Sequence, residues 1–413
     1  MGDPAVDQGG RRLNRKMGRE KIEGRSRTMR VIRNIRQILI FDAVLVLFPL
    51  TLVGADLGFQ ISPYMQNVKE TSATIYWKSM GKVPGRVEYG PTAAYGASAS
   101  GHIKYVIENG SPQPKKGNVS RAQLDGLLPD MVYHYRLMLS SSGSEDRTFR
   151  TAPKGEDATF TFLVYGDSRG DPKTHARVVS AAVATCQPAF VLHAGDVVPS
   201  SSAGQSIWTK QFFMPADPLL RETWFAVTRG NHENMSRLFS LYFEGVGTSQ
   251  GDDYYSFDWG PIHAVTLNTN NDYGPGSKQY QFLKGDLARA SRPFKVFFGH
   301  HPAYSSGSHG STKKMQEYLQ PLFEGNGVQL VFAGHDHTYE RTIINGITYV
   351  VSGGGGAPLY GLEQLKDNPK GLVFREIYNF VQIDVTANGL VLTAWAVNSS
   401  GVPTIADQAV IAR

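Results

Sequence analysis

The sequence predicts a two-domain chain, in which an all-β sandwich is followed by an α/β domain. Three observations lead to this prediction within a length of 413 residues, which is ample for two domains. Short segments with alternating apolar and polar residues fill residues 57–152. From residue 159 onward, apolar strand-like segments alternate with helical ones. Five of these later segments end in a glycine that Asp, Asn or His follows.

The N-terminal segment carries the excess positive charge of the chain. Residues 1–36 contain eleven Lys or Arg and four Asp or Glu, whereas the whole chain has a net charge of +6. The remainder is therefore close to neutral, so the high pI gives no reason to predict binding to nucleic acid. We interpret residues 1–28 as a disordered basic leader, unless Met29 is the true start of the protein.

Residues 29–55 have the layout of a secretory signal peptide. Three arginines between residues 30 and 36 precede an apolar stretch from Ile38 to Val53, and small residues follow. The stretch contains Asp42 and is shorter than the ~20 residues of a full membrane span. An uncleaved N-terminal anchor is the second interpretation and a buried helix is the third. We therefore expect an exported protein (periplasmic, extracellular or cell-surface), with no membrane contact beyond this signal or anchor.

Residues 57–152 are expected to form the all-β domain. Strands are predicted at residues 72–79, 85–90 and 133–139. The stretch LDGLLPDMVYHYRL at residues 124–137 resembles a fibronectin type III domain, in which a tyrosine near the start of a late strand forms a corner. Tyr133 and Tyr135 are the candidates for that tyrosine. Both are expected to lie in the core together with Trp77.

Residues 159–413 are expected to form the α/β domain. Helices are predicted at residues 172–186, 277–290 and 311–323, where apolar residues recur at spacings of three and four. Residues 380–397 contain two strand patterns around an Asn-Gly turn, which predicts a hairpin. The single cysteine, Cys186, excludes an intramolecular disulfide and a multi-cysteine zinc site, and we expect it to be a buried packing residue.

The five glycine-terminated segments predict a metal site. They are FTFLVYGD (160–167), AFVLHAGD (189–196), WFAVTRGNHE (224–233), KVFFGHH (295–301) and QLVFAGHDH (329–337). Because ligands gather at the carboxyl ends of strands in α/β sheets, these ends would bring two Asp, one Asn and at least three His into one cleft. Oxygen and imidazole donors suit Fe, Zn or Mn. The set is too large for one tetrahedral ion, so we expect two ions about 3.5–4 Å apart with a bridging carboxylate.

The order of these segments and their residues resemble the motifs of the calcineurin-like metallophosphoesterases, and among them those of the purple acid phosphatases. GNHE at 230–233, GHDH at 334–337 and HPAYSSGSHG at 301–310 carry the resemblance, which extends over residues 57–413. It implies a four-layer α-β-β-α catalytic domain behind a fibronectin-like domain. It also implies two divalent or trivalent metal ions and the hydrolysis of a small phosphorylated substrate.

The resemblance assigns roles to individual residues. The first metal would be held by Asp167, Asp196 and His337. The second metal would be held by Asp196, Asn231, His300 and His335. Asp196 would thus bridge the metals, and His301 is a weaker alternative to His300. His232 would lie beside the substrate phosphate as proton donor or charge stabiliser, and His309 would face the substrate. Arg169 is a candidate phosphate contact, with a solvated arginine as the alternative.

Two positions depart from the purple acid phosphatase pattern. Pro199 stands where those enzymes have the tyrosine that binds ferric ion and gives the colour, three residues after the bridging Asp196. Ser168 and Arg169 follow Asp167, without the glycine of the purple branch or the ligating histidine of other branches. We therefore expect a colourless enzyme that does not require ferric iron, in which three matched protein ligands hold the first metal.

The expected function is acid-phosphatase-like hydrolysis of phosphate monoesters. A phosphodiesterase or nucleotidase of the same fold is the alternative among enzymes. A protein Ser/Thr phosphatase is disfavoured, because the second segment continues Val-Val-Pro rather than the Asp-Arg-Gly of that branch. A non-catalytic exported binding protein is the alternative of another class, and the intact set of candidate ligands argues against it.

Overall fold

The computed structural model describes residues 58–412 apart from 82, 109–110, 244–252, 365–367 and 369–370. The described part consists of an all-β domain followed by an α/β domain, as the sequence predicts. The predicted leader (1–28) and the predicted signal peptide or anchor (29–55) lie outside the described residues. Among the helices that are described, none is both long and apolar enough to span a membrane.

The N-terminal domain is a sandwich of two antiparallel sheets. One sheet contains, in spatial order, β1 (Phe59–Gln66), β2 (Ser72–Ser79), β8 (Asn118–Asp125) and β5 (His102–Tyr105). The other contains β10 (Ser142–Gly143), β9 (Val132–Leu139), β3 (Arg86–Gly90) and β4 (Ala97–Ser100), with β11 (Arg147–Arg150) also paired to β9. Two short strands, β6 (Ile107–Glu108) and β7 (Ser111–Pro112), pair separately. The three predicted strands are therefore present as β2, β3 and β9.

The aromatic core predicted for this domain is confirmed. Trp77, Tyr133 and Tyr135 are buried in one apolar cluster. The backbone N–H of Leu128 donates to the Tyr133 hydroxyl over 2.9 Å, which is the kind of upstream backbone contact that a tyrosine corner makes. The Tyr135 hydroxyl donates instead to the carbonyl of Arg221 over 2.7 Å, so this tyrosine joins the two domains. The likeness to fibronectin type III stays a prediction.

The second domain has two sheets that pack face to face. The first sheet has the order β14 (Trp224–Val227), β13 (Phe190–His193), β12 (Phe160–Tyr165), β22 (Asn379–Thr386), β23 (Gly389–Val397) and β24 (Pro403–Ala412). The second sheet has the order β15 (Tyr255–Trp259), β16 (Ile262–Thr266), β17 (Phe294–Phe298), β18 (Val328–Ala333), β20 (Ile347–Ser352), β19 (Tyr339–Ile344) and β21 (Gly371–Arg375). One apolar cluster lies between them and includes Phe162 and Ile383 of the first sheet and Phe332 of the second.

Helices cover the outer faces and complete the predicted α-β-β-α arrangement. On the first sheet lie α1 (Pro172–Thr185), α2 (Gln205–Trp208), α3 (Met214–Leu220) and α4 (Arg237–Tyr242), with a π-helical segment at Thr209–Phe213. On the second sheet lie α5 (Lys278–Arg289) and α6 (Gln320–Gly325), with a π-helical segment at Met315–Leu319. Asp171 caps α1 by accepting from Lys173 N over 3.0 Å, and Pro172 suits the first helical position. Because α1 ends at Thr185, Cys186 lies beyond the helix, and it is a partly buried residue that packs on the apolar cluster under α1, where the sequence predicts a buried packing residue.

The parallel strands of both sheets direct their carboxyl ends to one edge of the domain. Strands β12, β13 and β14 pair in parallel in the first sheet, and β16, β17, β18 and β20 do so in the second. Backbone hydrogen bonds join the ends of these strands: Asp167 N donates to Gly195 O over 2.9 Å, and Gly334 N donates to His300 O over 3.0 Å. His300 also contacts Ala194 O after β13 and Oδ1 of Asn231 after β14, each over 2.8 Å, so the loops after the five strands meet in one place.

Candidate metal centre

Every candidate metal ligand follows directly after one of the five strands. The first sheet supplies Asp167 after β12, Asp196 after β13 and Asn231 after β14. The second sheet supplies His300 after β17 and both His335 and His337 after β18. The sequence prediction that these strand ends converge is therefore correct. The convergence requires two sheets packed together, since neither sheet alone provides all six residues.

Three of these residues have a left-handed backbone conformation. The angle φ is 56° at Asp167, 57° at Asp196 and 71° at His335. Residues with a side chain rarely adopt positive φ, and strained positions of this kind concentrate at functional sites. Gly195, with φ of 87°, has a second constraint: a Cβ there would lie 2.7 Å from Gly230 N and 2.9 Å from Nδ1 of His300. Only glycine fits this close approach of three loops.

The first group of candidate ligands is Asp167, Asp196 and His337. One ligand atom from each lies within 4.8 Å of the others, and all three residues are buried. Oδ1 of Asp167 has no hydrogen-bond partner and lies 3.6 Å from Nε2 of His337. Burial, together with the negative charge of Asp196, raises the pKa of Asp167 well above its ordinary value. A buried carboxylate oxygen without a partner is costly, so this group fits a bound cation.

The tautomer of His337 supports the same conclusion. Its Nδ1 lies 2.6 Å from the carbonyl of Pro358, so this nitrogen donates and Nε2 carries the lone pair. Burial lowers the pKa of His337 to about 4, which keeps the ring neutral at ordinary pH. A neutral imidazole whose other nitrogen is fixed by a backbone carbonyl is the usual state of a metal-binding histidine.

The second group of candidate ligands is Asp196, Asn231, His300 and His335. Nδ1 of His300 donates to Ala194 O over 2.8 Å, so its Nε2 is unprotonated in the neutral ring. That Nε2 lies 2.8 Å from Oδ1 of Asn231 and 3.2 Å from Nδ1 of His335. Burial lowers the pKa of both histidines, which disfavours a proton between these atoms. Several acceptor atoms thus face one another, and a cation satisfies such a set.

Asp196 lies between the two groups. Its Oδ1 is 3.4 Å from Nε2 of His300 and also accepts from the backbone N of His232 over 3.1 Å. Its Oδ2 accepts from Nε of Arg169 over 3.0 Å. Burial alone would raise the pKa of Asp196, but the nearby His300, His232 and Arg169 outweigh burial and lower it. Asp196 thus presents one oxygen to each side, which is the arrangement that a bridging ligand requires.

His232 lies at the edge of the centre with a fixed ring orientation. Nδ1 of His232 is 2.6 Å from the carbonyl oxygen of Pro199, and Nε2 is 3.8 Å from Oδ2 of Asp196. The side chain is 30% exposed, so the ring is accessible from solvent. Pro199 contributes no side-chain ligand, but its backbone sets which nitrogen of His232 faces the centre.

His309 and Asp336 form a pair beside the second group. Oδ1 of Asp336 accepts from the backbone N of His309 over 2.9 Å and lies 2.9 Å from Nδ1 of the same residue. The hydrogen bond to Asp336 raises the pKa of His309. The His309 ring packs on His335 with 4.1 Å between centroids and is 43% exposed.

His301, the alternative to His300, instead bonds Thr269 Oγ1 through Nδ1 over 2.8 Å.

Arg169 is largely buried and is bonded within the centre. The side chain is 15% exposed, and its Nε is bonded to Oδ2 of Asp196. Its Nη2 lies 3.4 Å from Nε2 of His337. The alternative of a solvated arginine is therefore wrong for this structure, and the guanidinium lies among the first group of candidate ligands.

Two residues of the centre, Glu233 and Tyr360, were not predicted from the sequence. Glu233 is buried, and its Oε1 accepts from the backbone N of both Asp196 and Gly230 over 2.9 Å, which joins two ligand loops. Burial and the charge of Asp196 raise the pKa of Glu233 to about 8. Tyr360 stacks on His337 with 4.0 Å between ring centroids and an interplanar angle of 16°. Glu233 belongs to the GNHE segment, which was a usable signal, whereas no local pattern marks Tyr360.

Comparisons with known proteins agree with this architecture. Residues 160–339 match the family model of calcineurin-like phosphoesterases, and residues 59–151 match that of the purple acid phosphatase N-terminal domain. Purple acid phosphatase 18 of Arabidopsis thaliana is 28% identical over 357 residues, which cover 79% of this chain and 78% of that protein. Probable inactive purple acid phosphatase 9 of the same plant is 27% identical, over 58% of this chain and 46% of that protein.

A solved structure supports the fold independently. The purple acid phosphatase PPD1 from yellow lupin (Lupinus luteus) superposes with a TM-score of 0.73 at 20% identity, over 85% of this chain and 74% of the lupin chain. The chain therefore carries a calcineurin-like phosphoesterase domain preceded by a purple acid phosphatase N-terminal domain, and its homologues are purple acid phosphatases, some of which are named inactive.

Proposed function

We propose that this protein hydrolyses esters of phosphoric acid at a centre of two metal ions. The observation that carries the proposal is the convergence of both groups of candidate ligands on Asp196, with the unpartnered Oδ1 of Asp167 beside them. In this proposal Asp167, Asp196 and His337 hold one ion, and Asp196, Asn231, His300 and His335 hold the other. The mixture of carboxylate, amide and imidazole donors suits Fe, Zn or Mn.

The chain's own residues would position a small phosphorylated substrate. Two bound metal ions supply an activated water and neutralise charge on the phosphoryl oxygens. Because Nδ1 of His232 is bonded to the carbonyl of Pro199, only Nε2 can interact with a substrate. We assign to Nε2 the donation of a proton to the leaving oxygen. His309, exposed beside the second group, would contact the substrate, and Asp336 would hold its ring in place.

The proposal is tested by turnover of the Asp196→Asn variant on an aryl phosphate monoester and on a bis-aryl phosphate diester. We expect hydrolysis to fall to background, because the amide removes the charge that both groups share. Asp125→Asn is the matched control, since Asp125 is exposed on β8 of the N-terminal domain. Metal content is measured on the same samples. Near wild-type turnover of Asp196→Asn with metal bound would refute the proposal.

The same substrate panel separates the remaining candidates. Faster turnover of the diester supports a phosphodiesterase, whereas faster turnover of the monoester supports a phosphatase or a nucleotidase, which also cleaves a phosphate monoester. A metal-loaded wild-type chain without turnover would instead support a non-catalytic role, which the relatives named inactive make worth testing.

We also propose that the protein is exported by means of residues 29–55. The proposal rests on the arginines and the apolar stretch of that segment, as described above. Expression of the full chain followed by N-terminal sequencing of the exported protein tests it. A new N-terminus close to residue 56 indicates cleavage, whereas retention of the segment in the membrane fraction indicates an anchor.

A further inference from the structure

The guanidinium of Arg169 contacts the first group of candidate ligands. Its Nε is 3.0 Å from Oδ2 of Asp196, and its Nη2 is 3.4 Å from Nε2 of His337. Nε2 is the nitrogen of His337 that the bond to Pro358 leaves free. The guanidinium therefore contacts two of the three residues that form this group, through atoms that a metal ion would also need.

The charge of Arg169 partly offsets the negative charge of the first group. Asp167 and Asp196 are both buried, and two buried carboxylates side by side are unfavourable unless a cation accompanies them. A guanidinium is always protonated in proteins, so Arg169 is a permanent counter-ion. Tyr360, which stacks on His337, also interacts with the guanidinium through its hydroxyl.

The second group has a different environment. Oδ1 of Asn231 faces two imidazole nitrogens, Nε2 of His300 and Nδ1 of His335, at 2.8 and 3.1 Å. In the described part of the chain, the hydrogen bonds of these two rings run to Ala194 O, to Asn231 and to each other, so a metal ion that binds there displaces no arginine or lysine from these atoms. The sequence also sets the first group apart from the second, because Arg169 stands two residues after Asp167. A glycine at this position would leave space for a metal ion, and a histidine would add a ligand.

We propose that Arg169 competes with the metal ion of the first group, so that the two metal sites fill unequally. This inference rests on the two-metal centre of the proposed function. The second group fills first, and the first group fills only when the metal concentration is high enough to displace the guanidinium from Asp196 and His337. The displaced arginine then remains close to the bound ion, and the repulsion between like charges further weakens binding.

The inference is tested by titrating metal-free full-length protein with Mn²⁺, using calorimetry and the electron paramagnetic resonance signal of free Mn²⁺. We expect one tight and one weak equivalent in the wild type. Arg169→Gln removes the charge at similar length and is expected to tighten the weak equivalent by about tenfold or more, or about 1.4 kcal/mol. Arg169→Met is a second neutral variant, and the far-ultraviolet circular dichroism of each variant verifies folding.

Two variants separate competition from a general effect of arginine. Arg169→Lys keeps a positive charge and is expected to retain a weak second equivalent. Arg177→Gln removes a positive charge from α1, where Arg177 bonds Thr174 and not the candidate ligands, and is expected to bind Mn²⁺ as the wild type does. If the neutral variants bind the weak equivalent no more tightly than the wild type, the inference is wrong.

Turnover on the aryl phosphates, measured on the same samples, distinguishes this inference from the proposed function. Hydrolysis by the wild type, with unchanged affinity in Arg169→Gln, overturns the competition alone. Tighter binding in Arg169→Gln, with no hydrolysis by the wild type or any variant, supports the competition and overturns the proposed function. A wild-type chain that binds no Mn²⁺ and hydrolyses neither aryl phosphate in the presence of Fe, Zn or Mn overturns both.

Discussion

The backbone carbonyl of Pro199 accepts a hydrogen bond from Nδ1 of His232 over 2.6 Å. The position at which the purple enzymes have a colour-giving tyrosine thus contributes to this centre through its backbone. Proline fixes its own φ, which restricts the direction of this loop. As a result Nε2 of His232 faces Oδ2 of Asp196 at 3.8 Å, on the side of the candidate metal centre.

The His232→Ala variant is expected to lose about 10²–10⁴-fold in kcat on an aryl phosphate, which is the usual contribution of a general acid. Its metal content should not change, because His232 belongs to neither group of candidate ligands. Steady-state kinetics and metal analysis of the same samples provide the measurement. His102→Ala is the control, since His102 is exposed on β5. Loss of bound metal together with activity would show that His232 holds a metal instead.

The sequence was sufficient for the fold class because the evidence for it is local. Alternating apolar residues mark β2 and β9, and the spacing of apolar residues marks α1 and α5. The limits of α1 and the position of Cys186 depend on which turn ends the helix, and periodicity does not determine that. The π-helical segment Met315–Leu319 is likewise invisible to a pattern based on 3.6 residues per turn.

The candidate site also contains residues with a local sequence signal and contacts without one. The five strand ends are local signals, so Asp167, Asp196 and the histidines after β17 and β18 were identified from the sequence. Contacts between distant loops were not. The bond from His232 to Pro199, the pairing of Arg169 with Asp196 and the stacking of Tyr360 on His337 all join segments that are 23 or more residues apart. Only the packed arrangement of these loops reveals them.

Removal of metal is expected to lower the thermal stability of the wild type. A metal that binds only the folded state adds about 2.7 kcal/mol when its free concentration is 100 times the Kd. Differential scanning calorimetry with and without a chelator measures this change. Equal melting temperatures in both conditions would indicate that no metal binds the folded chain.

The Asp167→Asn variant is expected to be more stable than the wild type when both are metal-free. The substitution removes the repulsion between Asp167 and Asp196 and the cost of an unpartnered carboxylate oxygen, since burial and the charge of Asp196 raise the pKa of Asp167 well above its ordinary value. Denaturant unfolding of both metal-free proteins measures the difference, with Asp125→Asn as a control expected to match the wild type. Lower stability of Asp167→Asn would show that the carboxylate is already well compensated.

His263 is expected to make stability depend on pH above neutrality. Burial would lower the pKa of His263, but hydrogen bonds to Asp258 (2.7 Å) and Asp286 (2.8 Å) outweigh burial and raise it to about 9. The pKa is therefore higher in the folded state than the ordinary 6.5, so the contribution is complete below about pH 6.5 and is lost as pH rises through 9. The full shift is worth about 3 kcal/mol.

Denaturant unfolding between pH 6 and 9.5 measures the contribution of His263. His263→Gln is expected to flatten the fall in the free energy of unfolding over this range, because glutamine does not titrate. His102→Gln, a change at an exposed histidine, should leave the fall unchanged. An identical pH profile for wild type and His263→Gln would mean that the imidazolium between Asp258 and Asp286 adds no stability.

The iron-loaded protein is expected to lack the visible charge-transfer band of a tyrosinate bound to ferric ion. Pro199 has no phenol, and the phenol of Tyr360 is engaged in stacking on His337, while burial raises its pKa against the opposing effect of Arg169. Absorption spectra of the ferric-loaded wild type, Tyr360→Phe and Pro199→Tyr provide the measurement. We expect a band only in Pro199→Tyr, which restores the phenol and keeps the backbone carbonyl that holds His232. A band in the wild type that disappears in Tyr360→Phe would contradict this prediction and assign the missing tyrosine ligand to Tyr360.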